Sequence, residues 1–157
     1  MGQLPYVNSF KNLVAYQKSR ALAAVIFVAS KQFPREEMYS LTDQVRRSSR
    51  AIGANLAESW AKRDYERHFV SKLTDADAEQ LETQHWLEVA RDCGYLDAQQ
   101  AKSLLAQTEE VGRLIGSMIT HAPSFCAPKP LREPDPIYNL QSEADDNASF
   151  PTDLLSN

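Results

Sequence analysis

The 157-residue chain is poor in the residues that staple, break or anchor a fold. Its two cysteines, Cys93 and Cys126, stand 33 residues apart without a Cys-x-x-Cys pattern. They offer neither a disulfide framework nor a zinc site, so a reduced, cytoplasmic setting is expected. Long apolar runs are missing. The longest, Ala21 to Ala29, has nine residues, against the ~20 that a membrane-spanning helix needs. The opening residues lack the charged-then-apolar order of a secretory signal, and Tyr6 stands where a myristoylation signal carries Ser or Thr. A soluble chain is expected, with no membrane partner. An excess of positive charge is absent as well. Seventeen Lys and Arg against 21 Asp and Glu give a net charge of −4, which argues against bulk-charge binding of nucleic acid but not against a local basic face.

What charge there is, is segregated. Residues 1–122 balance 15 basic against 15 acidic side chains, so the net charge resides in residues 123–157. Within the balanced part, residues 1–72 carry 12 basic and six acidic groups (+6), and residues 73–122 carry three and nine (−6). Six of the eight prolines also fall after residue 122, with Ser, Asn and Asp between them. That composition is expected of an extended or disordered tail. The chain divides into a body, 1–122, and a Pro-rich acidic tail, 123–157.

Glycine and proline punctuate the body so sparsely that its periodicity is easily read. A first helix is predicted from about Asn8 or Ser9 to Lys31, before Phe33-Pro34, and a second from Ser40 to Ala61. A third follows Asp64 and runs to Cys93, with Gly94 as its C′ residue. A fourth starts at Asp97, with Gln100 completing a capping box, and runs to about Thr120. The second helix lines up Leu41, Val45, Ser48/Ser49, Ile52 and Leu56. The third lines up Tyr65, Phe69, Leu73, Ala76, Gln80/Leu81, Leu87 and Ala90, and the fourth Ala101, Leu104, Thr108, Val111, Ile115 and Met118. No segment alternates long enough to be a strand. Short links between long amphipathic helices predict an all-α fold, an antiparallel up-down four-helix bundle.

The segment Phe33-Pro34-Arg35-Glu36-Glu37-Met38-Tyr39-Ser40-Leu41-Thr42-Asp43-Gln44-Val45-Arg46-Arg47, continuing to Asn55-Leu56-Ala57-Glu58, resembles the core signature of the four helix bundle protein family, also called the 23S ribosomal RNA intervening-sequence protein family. Phe10-Lys11-Asn12-Leu13, Tyr16-Gln17-Lys18, Phe69, Leu73, Glu79-Gln80-Leu81-Glu82-Thr83 and Gly94-Tyr95-Leu96 extend the similarity over about residues 9–120. Arg50, Ala51 and Ser59 depart from it. The resemblance implies a non-enzymatic homo-oligomer, commonly a homopentameric ring, without cofactor. Distant relatives are nucleic-acid-binding accessory subunits of retroelement reverse transcriptases.

The residues themselves leave several roles open. Ala51, Ile52, Gly53, Ala54, Asn55, Leu56 and Ala57 put no charge anywhere around the middle of the second helix. Small residues there, at Ala51, Gly53, Ala54 and Ala57, are expected at an oligomer interface, since the outer face of a lone bundle would meet water. Arg46, Arg47 and Arg50 lie off the apolar stripe, followed by Lys62, Arg63 and Arg67. These six form a candidate RNA or other nucleic-acid face. The same charges suit the acidic half of a neighbouring copy in a ring, or form solvated faces and pairs within the bundle. Trp60 to Tyr65 interleaves aromatic and basic residues at a helix turn, where stacked bases are expected. Asn55 and Glu58 are expected as buried hydrogen-bond partners that fix helix packing. Glu82-Thr83-Gln84-His85 has the spacing of a di-iron ligand pair, but one such motif without its partners is no metal site. Ser48, Ser49 and Ser59 lack the context of a nucleophile. The expected protein is therefore a self-assembling bundle that binds RNA. The alternative is a scaffold that recruits a protein through its tail.

Overall fold

Ser9 is a cap as predicted, but it opens a short turn rather than the long helix. A computed structural model of the protein describes residues 7–126. The Ser9 hydroxyl accepts from the Lys11 amide at 3.3 Å and closes a 3₁₀ turn, Phe10–Asn12. Helix α1 then runs Val14–Ser30. A 3₁₀ turn, Arg35–Glu37, and a single π turn, Met38–Thr42, lead into α2, Asp43–Ala61. Glu37 holds this entry together by accepting from the Ser40 hydroxyl and, at 3.0 Å, from Tyr95 Oη. Helix α3 runs Glu66–Asp92 and ends at Gly94, whose φ of 76° is the left-handed conformation that glycine adopts without a Cβ penalty. Helix α4, Ala98–Thr120, carries both bonds of the predicted capping box, Gln100 N to Asp97 Oδ1 at 2.7 Å and Asp97 N to Gln100 Oε1 at 3.0 Å. A fifth, one-turn helix, α5, Ala122–Phe125, carries the fold past the expected boundary at 122 and stacks Phe125 on Phe69. The rest of the acidic tail, residues 127–157, lies outside the described residues.

The fold is all-α, and contacts across successive helices show how they run. Arg47 meets Glu79 and Glu82, Ser48 meets Thr83, and Lys72 meets Asn55 and Glu58, so numbers fall along α3 as they rise along α2. On the other side, Arg46 meets Ser30 and Gly53 faces Ser19. The predicted stripes are the core: Val45, Ile52, Leu56, Phe69, Leu73, Ala76 and Ile115 are sealed from solvent. Tyr65 and Leu81, placed on the same stripes by periodicity, are exposed.

Polar side chains cross this core in a connected layer. The Thr83 hydroxyl sits 2.9 Å from Ser48 Oγ and 2.8 Å from the Glu79 carbonyl oxygen. Gln80 donates to the Thr108 carbonyl at 3.2 Å. Ser48, Gln80, Thr83 and Thr108 are thus each paired, which avoids the cost of about 1–3 kcal/mol for an unpaired buried group, whereas Thr42 Oγ1 and Glu79 Oε2 are buried without a hydrogen-bond partner among the described residues. The amide of Gln80 has room because α4 presents Gly112, where an added Cβ would stand 2.9 Å from Gln80 Cδ and Oε1. Gly112→Ala is therefore expected to destabilise the fold by about 1–3 kcal/mol. Gly116→Ala, with nothing within 4 Å of its Cβ position, should be neutral or stabilise by up to ~1 kcal/mol. Denaturant unfolding of both variants checks the pair.

Candidate functional site

Helices α1 and α2 leave a groove of about 480 Å³ on the outer side of their contact. Tyr16, Ala23 and Ala24 of α1 and Gly53, Ala54 and Ala57 of α2 line its middle. Gly53 itself is buried, and a Cβ there would stand 3.2 Å from Ser19 Oγ. Its missing side chain thus serves the close approach of two helices of one subunit. Ala54 is exposed, while Ala51 and Ala57 are half-buried. Ala23, Ala24, Ala54 and Ala57 make the middle of the groove apolar, and α1 carries apolar side chains on its other flank as well. Val14, Val25, Phe27 and Val28 remain 53%, 44%, 37% and 61% exposed.

A cationic cluster closes one end of the groove. Lys31 Nζ and Arg46 Cζ lie 4.8 Å, and Arg50 Cζ 5.6 Å, from the centre of the Phe27 ring. Arg46 is fixed there because its Nε donates to Ser30 Oγ at 2.7 Å, and Ser30 in turn donates to the Phe27 carbonyl. Arg20 stands on the groove wall. Among the described residues, Arg20, Lys31, Arg46 and Arg50 form no ion pair with a carboxylate. Three like charges around one ring lie within the screening length of about 8–10 Å at physiological salt. They repel one another, and an anion placed among them feels all three.

The six basic residues expected on one face are thereby divided. Arg46 and Arg50 turn toward α1. Arg47, about 100° further round the helix, turns toward α3 and pairs with Glu82 and, at 3.6 Å, with Glu79. Lys62, Arg63 and Arg67 lie at the α2–α3 turn, with Lys62 roughly 18 Å along α2 from Arg50 at 1.5 Å per residue. There Arg63 covers the Trp60 ring at 4.3 Å and donates to the Trp60 carbonyl at 2.7 Å, so this aromatic face is already occupied. Lys62 and Arg67 are exposed. Lys31, Arg20 and Phe27 were not singled out by the sequence reading. Their signal was the Ala21–Ala29 run, too apolar for a one-sided helix, with Lys31 one turn after Phe27.

The remaining candidates have partners within the bundle. Asn55 donates to the Ala51 carbonyl at 3.1 Å, and Glu58 takes Lys72 Nζ at 2.8 Å. Lys72 also reaches Asp75, so the pair sits in a surface cluster on the α2–α3 seam, with Glu58 exposed rather than buried. Ionic partners raise the Lys72 ammonium, Glu58 first. The Glu82 carboxyl of the Glu-x-x-His motif is engaged by Arg47 and by the Trp86 indole at 3.1 Å, while His85 packs edge-on against Trp86. Lys18 joins α1 to α4 through Glu110 at 3.2 Å. No helix among the described residues is long and apolar enough to cross a membrane.

A family model described as 23S rRNA-intervening sequence protein matches residues 11–117, from the first turn to near the end of α4. Among solved structures, the chain is similar to a protein of unknown function from the S23 ribosomal protein family of Bacteroides thetaiotaomicron, with 30% identity and a TM-score of 0.62. That likeness covers 68% of this chain and 98% of the other. No curated protein matches the chain.

The Trp86 hydrogen bond, followed by Arg47, holds the Glu82 carboxyl below the usual carboxylate range. Ionised Glu82 therefore favours the fold above its unfolded pKa, and that contribution is lost as pH falls through the lower folded value. Glu82→Gln should lower stability at neutral pH and flatten its decline below about pH 5. Unfolding free energies measured from pH 3 to 7 read this directly; parallel curves for the two proteins would contradict it.

Proposed function

Given that the chain belongs to the 23S rRNA-intervening sequence protein family, we propose that it is a non-enzymatic, cytoplasmic helical-bundle protein that binds RNA through the cationic cluster around Phe27. The observation that carries this reading is the set of three cations, Lys31, Arg46 and Arg50, gathered at one partly exposed aromatic ring with Arg20 on the groove wall, none of them paired with a carboxylate among the described residues. Phosphates are met by such cations, which the Phe27 ring gathers through cation–π contact. The family description, which names 23S rRNA, supports RNA over other polyanions. Bulk charge is no obstacle, because residues 1–122 balance 15 basic against 15 acidic side chains and the net charge resides in residues 123–157.

A second observation favours self-assembly, and the two readings are compatible. Val14, Val25 and Val28 form an exposed stripe with Ala21 on the α4 side of α1. On α3, exposed Leu81 stands between Asp77 and Glu88 at helical spacing. A head-to-tail contact between these unlike faces closes into a ring when the rotation permits, and a homopentamer is the size proposed here.

The RNA reading is tested by mobility shift with structured RNA at low and moderate salt. Lys31→Glu/Arg50→Glu should weaken binding at ~50 mM salt by tenfold or more. The same variant should reduce the salt slope by about 0.7–0.9 per lost phosphate contact. Arg47→Gln should bind like the wild type. Equal binding by the double variant, or none by the wild type at low salt, rejects the site. For assembly, light scattering at micromolar protein should show an oligomer that Val25→Glu/Val28→Glu converts to monomer; a monomeric wild type rejects the ring.

A further inference from the structure

The cationic groove is open along its length, and the chain carries its own polyanion. Residues 127–157 hold six acidic and two basic side chains, and four of the acids, Glu143, Asp145, Asp146 and Asp153, flank Phe150, Leu154 and Leu155. An acidic stretch joined to three large apolar side chains is complementary to an apolar groove ending in cations that have no carboxylate partner among the described residues. Proximity favours the match. The described chain ends at Cys126, just after α5, which stacks on Phe69 at the start of α3, the end of the bundle where α2 finishes. From Ala57 to Arg46 the groove side of α2 spans roughly 16 Å at 1.5 Å per residue. The 24 residues from Cys126 to Phe150 reach about 28 Å even as a random coil. The segment can therefore occupy the groove of its own subunit.

We propose that residues 143–155 dock into the α1–α2 groove, with Phe150, Leu154 and Leu155 on its apolar middle and the acids at Arg20, Lys31, Arg46 and Arg50, and thereby compete with RNA for the same cations. This rests on the RNA reading only for its consequence; the docking itself is independent of it. Tethering gives the segment an effective concentration in the millimolar range, so even a weak contact of ~0.1 mM holds the groove mostly occupied and weakens a competitor about tenfold. An RNA that engages the cluster displaces the tail, and both contacts weaken as salt rises.

The test uses the full chain with Glu143→Gln, Asp145→Asn, Asp146→Asn and Asp153→Asn combined, and separately with Phe150→Ala, Leu154→Ala and Leu155→Ala combined. Backbone amide shifts are compared with those of the wild type, without RNA. Changes at Phe27, Arg50, Ala54 and Ala57 in both variants, independent of protein concentration, are the expected result. Unchanged shifts at these four residues overturn the docking. Shifts that instead follow protein concentration also overturn it and assign the groove to a second copy. Mobility shift then reads the consequence: both variants should bind structured RNA about tenfold more tightly than the wild type. If the amide shifts change and no RNA binds to any variant, the docking stands and the RNA reading falls. If RNA binds equally to all while the shifts stay still, the RNA reading stands and the docking falls.

Discussion

Val45, Ile52 and Leu56 expose no surface, and their burial sets the rotation of α2 about its own axis. The fates of the α2 arginines follow from that setting. With the apolar stripe facing the core, Arg47 must turn to α3, where Glu79 and Glu82 meet it, and Arg46 and Arg50 must turn to α1, where no acid stands. A rotation by one residue, about 100°, would exchange these fates and bury charge. Removing large apolar side chains from water outweighs what any surface ion pair contributes, about 0–1 kcal/mol, so the core decides and the charges comply.

Helix α1 makes the second constraint. It approaches α2 closely enough at Gly53 that a methyl would press on Ser19, and its Ser30 hydroxyl ties Arg46 beside Phe27. The lack of acid in α1 is what leaves these cations without a carboxylate partner among the described residues. It is also what makes this helix apolar on both flanks of its buried stripe, toward the α2 groove and toward α4. A cationic aromatic site and a candidate assembly face thus share one helix because the same residue class, small and apolar, fills most of its outer positions.

The elements were legible in advance because their signals are local. Asp97 with Gln100, Gly94, and the seam from Ala101 to Met118 each report geometry within a few residues, and each is found where periodicity and capping place it. Two starts shifted. Ser9 caps a 3₁₀ turn rather than α1, and a π turn at Met38–Thr42 delays α2 to Asp43, since Glu37 is held by Tyr95 from the far end of α3. Tyr65 is the extended N-cap residue just before α3, and Leu81 stands one position, about 100°, off the buried stripe, where Gln80 takes the inward place.

The candidate site was legible only in part. Counting charges along the chain located an excess of base in residues 1–72, yet it could not sort Arg46 from Arg47 or connect Lys31 to either. Sequence by itself determined the all-α class, the helices, the buried stripes and the acidity of the tail, all set by periodicity, capping and composition. The tertiary structure decided which cations are neutralised and which gather at Phe27. That choice depends on which residues of α1 and α3 come to face α2, and proximity across 16 or 35 residues of chain leaves no local trace.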